Sequence, residues 1–244
     1  MTRYERVPNP FSLYAGPIAT RVCEEGDALP LELTIFGHAS RHLGYFVRAF
    51  EIAGEHGLTA RRVPVALMRA ERLPLNEDGE PETIYEANSF IRLPQPAEVF
   101  PPQCPGRVVV RVVTPLRLKE AGNLVAPERF AARHLLSSLV RRVSMLMYFH
   151  GESALAADFQ QLKRLAQGVD IFAQSLRWAD LVRSSSRQRT LMQMGGIVGS
   201  VGLDLCRAEA LWPYLWLGQY IQAGKGTTMG LGHYRLATTG EPDL

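Results

Sequence analysis

The stretch Arg107–Val113, RVVVRVV, contains five valines in seven residues. A β-branched run of this length is too short and too rich in valine for a helix, and it predicts a strand. Phe130–Tyr148 follows with apolar residues at the spacing of an amphipathic helix. Glycines then punctuate residues 195–202 as in strand and turn, and Ala208–Gln222 has the pattern of a last helix. The second half is therefore predicted to interleave strands and helices.

The segment directly before the valine run, Leu93–Gly106 (LPQPAEVFPPQCPG), has five prolines in fourteen residues and predicts an extended connector. Before it, Leu31–Phe36 predicts a strand, residues 43–53 predict a helix ending near Gly57, and Val63–Met68 predicts a second strand. After the second-half helix, Leu155–Trp178 is expected to be partly helical, with a break near Gly168. Both halves are compatible with βαββαβ units, which gives predicted domains at 1–100 and 106–244.

The chain has 244 residues, 46% of them hydrophobic and 21% charged, which is typical of a folded globular protein. Its net charge is only +3. The basic residues are nearly all arginines, because only three of the 27 are lysines. Basic residues outnumber acidic ones between Arg129 and Arg189, and the reverse holds between residues 71 and 98. Arginine binds phosphates bidentately and stacks on bases, so this segregation favours one nucleic-acid-binding region. A GC-rich genome would enrich arginine as well.

The cysteines Cys23, Cys104 and Cys206 are far apart and lack CxxC spacing, and no HExxH motif accompanies the six histidines. We therefore expect no disulfide framework, no bound metal and no cofactor. The sequence contains no apolar window long enough to span a bilayer, and its first residues, MTRYERVPNPFSLY, are charged. These features predict a cytoplasmic protein that does not bind membranes.

The tail Ala223–Leu236, AGKGTTMGLGHYRL, places four glycines around Lys225. Glycines let backbone N–H groups approach an anion, and a lysine adds positive charge, so the tail could cradle a phosphate. It is not a Walker A loop, because Gly226 follows Lys225 where Ser or Thr is required. It also fails the dinucleotide-binding pattern, because Met229 stands where a glycine is needed. The alternative is a glycine-rich turn shaped only for packing.

The tail resembles the CRISPR-associated endoribonucleases of the RAMP superfamily, which process precursor CRISPR RNA. The resemblance extends to LTIFGHA (33–39), AGEHGL (53–58), VVTPLRLK (112–119) and RSSSRQRTLMQMGGIVG (183–199). It implies an α+β fold of two tandem ferredoxin-like (RRM-like) domains. It also implies metal-independent cutting of CRISPR repeat RNA, with the precursor and the mature guide RNA as partners.

Two other interpretations of the function stay open. The first is a noncatalytic RNA-binding RAMP subunit of a CRISPR effector complex, with the other subunits of that complex as partners. The second is an arginine-rich structural RNA-binding protein outside CRISPR biology.

Metal-free RNA cleavage needs a base for the 2'-OH proton, an acid for the leaving 5'-oxygen and cations for the developing charge. Histidine titrates near neutrality and suits either proton transfer. His38 directly follows the first predicted strand, His42 lies four residues later and Tyr45 one turn beyond. The resemblance implies a catalytic histidine in this strand-to-helix region. His38 is the first candidate, followed by His42 and Tyr45. The alternative is that both histidines only contact RNA or cap the helix.

The candidate RNA-binding residues come from the glycine-rich tail and from the arginine-rich second half. They are Gly224, Lys225, Gly226, Gly230, Gly232, His233, Arg141, Arg142, Arg183, Arg187 and Arg189. His233 is also an outside candidate for catalysis, and the segment from Arg183 to Arg189 could instead be a solvated loop. Because Arg141 and Arg142 are adjacent, they cannot both face the core.

Overall fold

The structure is a computed structural model that describes residues 7–17, 22–59, 61–74, 79–86, 88–92, 94–96, 98–185 and 190–238. The chain forms two compact units, one of residues 1–36 with 101–244 and the other of residues 37–100. The first strands of the chain therefore belong to the same unit as its second half. The domain division at 1–100 and 106–244 stays a prediction.

The described residues form thirteen strands and four α-helices. In chain order these are β1 (Phe11–Tyr14), β2 (Glu32–Ile35), α1 (Leu43–His56), β3 (Arg69–Arg72), β4 (Glu82–Glu86), β5 (Ser89–Phe90), β6 (Arg107–Leu116), β7 (Lys119–Glu120), β8 (Asn123–Leu124), α2 (Ala132–His150), α3 (Phe159–Gln167), β9 (Asp170–Ala179), β10 (Val182–Ser185), β11 (Thr190–Gln193), β12 (Gly196–Asp204), α4 (Trp212–Ile221) and β13 (Tyr234–Thr238). Short 3₁₀ helices lie at Gly37–His42, Pro127–Arg129, Glu209–Leu211 and Thr227–Met229.

The larger unit contains a four-stranded antiparallel sheet in the order β13-β6-β12-β9. With α2 after β6 and α4 after β12, the path is βαββαβ, the ferredoxin-like arrangement predicted for the second half. The core lies between this sheet and the helices, and its fully buried residues include Val110, Leu135, Leu139, Leu203 and Leu215. Helix α3 is an addition between α2 and β9.

Most second-half predictions are confirmed. The strand at 107–113 is the first part of β6, and the helix at 130–148 is α2 with slightly shifted ends. Within residues 155–178 only Phe159–Gln167 are helical, and the predicted break at Gly168 leads into β9. The last helix is a 3₁₀ turn followed by α4. The described residues of the connector before β6 contain neither helix nor strand.

The smaller unit consists of the 3₁₀ helix Gly37–His42, α1 and the three-stranded sheet β3-β4-β5. Helix α1 ends before Gly57, which has a φ of 81°, as predicted. The predicted strand at Val63–Met68 is wrong, because only Val63 pairs there, in a single bridge with Leu58. Pro64 follows it and has no N–H to donate to a ladder, so the regular strand starts later, at β3.

Strand β1 pairs with β2 and packs beside the end of α4 and the glycine-rich tail. Ser12 Oγ donates to the Tyr220 carbonyl at 2.7 Å. The Tyr14 ring stacks on the His233 ring with centroids 3.9 Å apart. No sequence pattern predicts β1. No helix in the described part of the chain is long and apolar enough to cross a membrane.

Candidate functional site

The glycine-rich loop, residues 223–232, is held by backbone hydrogen bonds at the end of β6. The Lys225 N–H donates to the Arg117 carbonyl at 3.1 Å, and the Gly232 N–H donates to the Pro115 carbonyl at 3.1 Å. The Ala223 N–H closes the loop on the Gly232 carbonyl at 2.9 Å. These bonds fix the loop's shape before any ligand binds.

The four predicted glycines of the loop all have left-handed backbone angles, with φ between 75° and 85°. The space around them differs. A Cβ at Gly232 would overlap the Ala223 carbonyl, and one at Gly224 would lie 2.6 Å from the Arg117 carbonyl oxygen. A Cβ at Gly226 would press on the Leu231 side chain, whereas one at Gly230 would meet only the Leu13 carbonyl oxygen at 3.5 Å. Packing thus accounts for Gly224 and Gly232, while Gly230 borders open space.

Lys225 is exposed on this loop, but His233 lies inside the protein. Only 7% of His233 is accessible, and its backbone N–H donates to Thr114 Oγ1 at 2.9 Å. Its Nε2 atom is buried and has no hydrogen-bond partner among the described residues. Burial, assisted by the charge of Arg235, lowers the pKa of His233 to about 4. His233 is therefore an interior residue beside the loop, and its role in RNA binding stays a prediction.

The three predicted catalytic residues lie at the start of the smaller unit, and all are exposed. His38 and His42 lie in the 3₁₀ helix, and the α-helix begins only at Leu43. A 3₁₀ helix has three residues per turn, so residues four apart point about 120° away from each other. The structure accordingly brings the His42 ring to Tyr45, with centroids 5.9 Å apart, and does not place His38 and His42 on one face.

The other four histidines are engaged within the protein. His134 bonds Glu120 at 3.0 Å through Nε2 and accepts the Ala131 N–H through Nδ1. His150 Nε2 and His56 Nδ1 each lie 2.7 Å from a backbone carbonyl, those of Pro8 and Ile52. His233 is buried. In contrast, no hydrogen bond or ion pair from a described residue reaches the ring of His38 or His42.

The adjacent arginines of α2 have different environments. Arg142 turns inward, and its Nε donates to the Ile221 carbonyl at the end of α4 at 2.8 Å. Burial lowers the pKa of Arg142 to about 10. Arg141 is exposed. Arg142 thus holds α4 in place, and only Arg141 is available at the surface.

The remaining predicted arginines lie within residues 182–193 of the sequence, the range that includes β10 and β11. Arg183 lies on β10. Its side chain and the whole of Arg187 and Arg189 are outside the described residues. The hairpin itself is a two-stranded antiparallel ribbon, with Arg183 paired to Met192.

Arg117 is a further site residue that the sequence analysis does not single out. Its carbonyl accepts the Lys225 N–H, and its Nη1 donates to the Gln193 carbonyl at 2.9 Å. It thereby touches both the glycine-rich loop and the hairpin. Its place in VVTPLRLK is the only sequence signal, and spacing alone cannot reveal these two contacts.

No group of three or more His, Cys, Asp or Glu residues that could hold a metal ion is present in the described part of the chain.

The family model of the CRISPR-associated endoribonuclease Cas6 matches residues 110–234, which contain most of β6, the strands β9 and β12, the helices α2 and α4 and the glycine-rich loop. The chain belongs to the Cas6 family. A second model, described as an N-terminal domain, matches residues 1–98. No curated protein matches the chain. Membership confirms the resemblance inferred from the motifs. As a Cas6-family protein, the chain is an RNA endonuclease that processes CRISPR repeat RNA.

Solved Cas6 structures share the fold. The product complex of Cas6 (TTHB231) has a TM-score of 0.60 and 18% identity, covering 96% of this chain and 83% of that one. The product complex of Cas6 (TTHA0078) has a TM-score of 0.52 and 20% identity, covering 96% and 84%. A partial Cas6-RT-Cas1–Cas2 complex has a TM-score of 0.52 and 15% identity, covering 96% and 40%. The predicted α+β fold with tandem ferredoxin-like domains is thus confirmed.

Proposed function

We propose that this Cas6-family protein cuts CRISPR repeat RNA in precursor transcripts without a metal ion, by attack of a 2'-OH on the adjacent phosphate. The contrast among its six histidines carries the proposal. Four are buried or bonded to protein groups, whereas His38 and His42 are exposed with no hydrogen bond from a described residue. An exposed imidazole can both accept and donate a proton near neutral pH.

In this reaction the O2'–P bond forms while the P–O5' bond breaks, so one proton leaves the 2'-oxygen and another reaches the 5'-oxygen. We assign one of these proton transfers to His38. His42, beside Tyr45, is the second candidate. Because the 3₁₀ helix separates the directions of His38 and His42, the two need not act as a pair. One structure of Cas6 (TTHA0078) is of a variant in which a histidine is replaced by alanine, which supports a functional histidine.

The RNA-binding surface in this proposal lies on the larger unit. Lys225 on the glycine-rich loop and Arg141 on α2 are exposed cations, and the sequence adds three more cations, Arg183, Arg187 and Arg189, between β9 and β12. Such groups bind phosphates and fix the register of the RNA. The neighbouring Cas6 structures include product complexes and a complex with RT, Cas1 and Cas2, which supports RNA and other CRISPR proteins as partners.

The first test is cleavage of the cognate repeat RNA by the full chain in EDTA. We expect a single cut that persists in EDTA and disappears when the nucleotide before the cut carries a 2'-deoxy sugar. Activity that vanishes in EDTA and returns with magnesium or manganese would overturn the mechanism. RNA that is bound but never cut would favour a noncatalytic RNA-binding subunit.

The second test assigns the histidine. His38→Ala should slow single-turnover cleavage by at least about 100-fold, the lower end for general acid–base catalysis, with little loss of RNA affinity. His42→Ala should have a smaller effect. His56→Ala is the matched control, because this histidine is also exposed but its ring contacts the Ile52 carbonyl. Near wild-type rates for His38→Ala, His42→Ala and the double variant would place the chemistry elsewhere.

A further inference from the structure

We infer that Arg117 is a positioning residue that fixes the β10–β11 hairpin against the glycine-rich loop, so that both elements hold one RNA at a set spacing. The inference rests on the proposed function, because it takes RNA as the ligand of both elements. Arg117 lies just past the end of β6, within the larger unit that contains both elements.

The backbone of Arg117 supports the loop. Its carbonyl accepts the Lys225 N–H at 3.1 Å, and Gly224 lies so close that a Cβ there would come within 2.6 Å of the same oxygen. Because Gly224 has a φ of 75°, this close approach is open to glycine but strained for other residues. The position of Lys225 is therefore set by the backbone of Arg117.

The side chain of Arg117 supports the hairpin. Nη1 donates to the carbonyl of Gln193, the last residue of β11, at 2.9 Å. The chain then returns to the main sheet at Gly196, where a Cβ would come within 3.0 Å of Arg117 Cγ. The guanidinium Nε is buried, with no hydrogen-bond partner in the described part of the chain. The side chain is thus packed against the base of the hairpin.

The hairpin needs such a support. It is a separate two-stranded sheet with exposed apolar residues, including Leu191 at 72% and Val182 at 50% accessibility. A two-stranded ribbon alone is marginally stable in water. At its base the Met194 N–H donates to the Leu181 carbonyl at 2.7 Å, and Arg117 adds the second anchor. Without that anchor the hairpin would sample more orientations, and RNA binding would carry the cost of ordering it.

The experiment is a double-mutant cycle on repeat-RNA affinity at several salt concentrations. Its variants are Arg117→Ala, the Arg183/Arg187/Arg189 triple alanine variant and their combination. Arg164→Ala, an exposed arginine on α3, is the matched control for charge. We expect Arg117→Ala to weaken binding on the order of tenfold and to lower the salt slope by more than the roughly one unit of a single lost contact. In the triple-variant background it should change little further, and Arg117→Lys should restore part of the affinity.

Each outcome decides the inference separately from the proposed function. Additive losses, with a slope change of one unit or less for Arg117→Ala, would mean that Arg117 contacts a phosphate directly. Unchanged affinity in a folded Arg117→Ala variant would also overturn the inference. Amide hydrogen exchange without RNA provides an independent measurement: exchange in residues 190–194 should quicken in Arg117→Ala, and unchanged exchange would rule out the anchor. A wild-type chain that binds no repeat RNA would instead overturn the proposed function, and the RNA role of Arg117 with it.

Discussion

Two glycines of the loop, Gly230 and Gly232, share left-handed backbone angles but differ in the space around them. Gly232→Ala forces a Cβ into the Ala223 carbonyl, so we expect it to lower the free energy of unfolding by more than about 3 kcal/mol. Gly230→Ala carries only the conformational cost of about 1 to 2 kcal/mol. Urea denaturation of both variants checks this, and equal losses would contradict the assigned packing.

The lowered pKa of His233 predicts that the stability of the fold depends on pH. Its folded-state pKa of about 4 lies below its ordinary value of 6.5, so the unfolded chain binds more protons between these values. Stability from this residue is therefore complete above about pH 6.5 and is lost as the pH falls towards 4, by about 3 kcal/mol.

His233→Phe isolates this contribution, because phenylalanine can keep the stacking on Tyr14 but cannot titrate. Tyr14 on β1 stacks on this ring, and Arg235 on β13 places a positive charge near it. We expect the difference in unfolding free energy between pH 7 and pH 4.5 to be smaller in the variant than in the wild type. Identical pH profiles would show that the buried imidazole titrates normally.

Among the secondary-structure elements, α2 and α4 are joined by a hydrogen bond from Arg142 to the Ile221 carbonyl. The adjacent Arg141 makes no such contact with α4 and is exposed. Arg142→Ala removes a charge-assisted donor from the Ile221 carbonyl, so we expect the free energy of unfolding to fall by about 1.5 to 3 kcal/mol. Arg141→Ala should leave stability within about 0.5 kcal/mol, as is usual for exposed positions, and should weaken RNA binding. Thermal melts and RNA titrations of the pair check this. The reverse pattern would contradict the orientations of the two side chains.

An element can be predicted from the sequence when the pattern that specifies it lies within the element itself. The valine run of β6 and the apolar spacing of α2 face one core, so sequence alone identifies them. Strand β3 begins at Arg69, later than the sequence predicts, because Pro64 interrupts pairing in a stretch that otherwise has strand composition. No local pattern predicts β1, a four-residue strand whose burial depends on packing beside α4, where Ser12 meets Tyr220, 208 positions away along the chain.

Some residues of the candidate site can likewise be predicted from the sequence, and others cannot. Residue type and position relative to a strand were enough to select His38 and His42. The 3₁₀ geometry that separates them depends on the fold, as do the contacts that engage the other histidines. The roles of Arg142 and Arg117 depend on carbonyls 79 and 76 residues away along the chain, and no local pattern encodes such contacts.

At the scale of the whole molecule, the larger compact unit is built from both ends of the chain. Residues 1–36 join residues 101–244, and several contacts join the N-terminal segment to the second half, among them the hydrogen bond of His150 to the Pro8 carbonyl. Ser12 donates to the Tyr220 carbonyl, Gln222 Nε2 donates to the Leu13 carbonyl at 2.9 Å, and Tyr14 covers His233. These contacts surround the end of α4 and the glycine-rich loop, so the second half is expected to depend on the N-terminal segment for its stability.

A comparison of two shortened chains tests this dependence. One is the fragment 101–244, and the other joins residues 1–36 to 101–244 through a long flexible Gly/Ser linker that replaces residues 37–100. Both lack the smaller unit, and a flexible linker adds only a small closure cost, so they differ mainly in the N-terminal segment. The linked chain should be more stable by at least about 2 kcal/mol, because the fragment loses the buried Tyr14 side chain and the hydrogen bonds of Ser12, Leu13 and Pro8 to the second half. Urea denaturation measures the difference, and Tyr14→Ala in the full chain should reproduce part of it. Equal stability of the two shortened chains would mean that residues 101–244 fold independently, as the predicted division between two sequential domains requires.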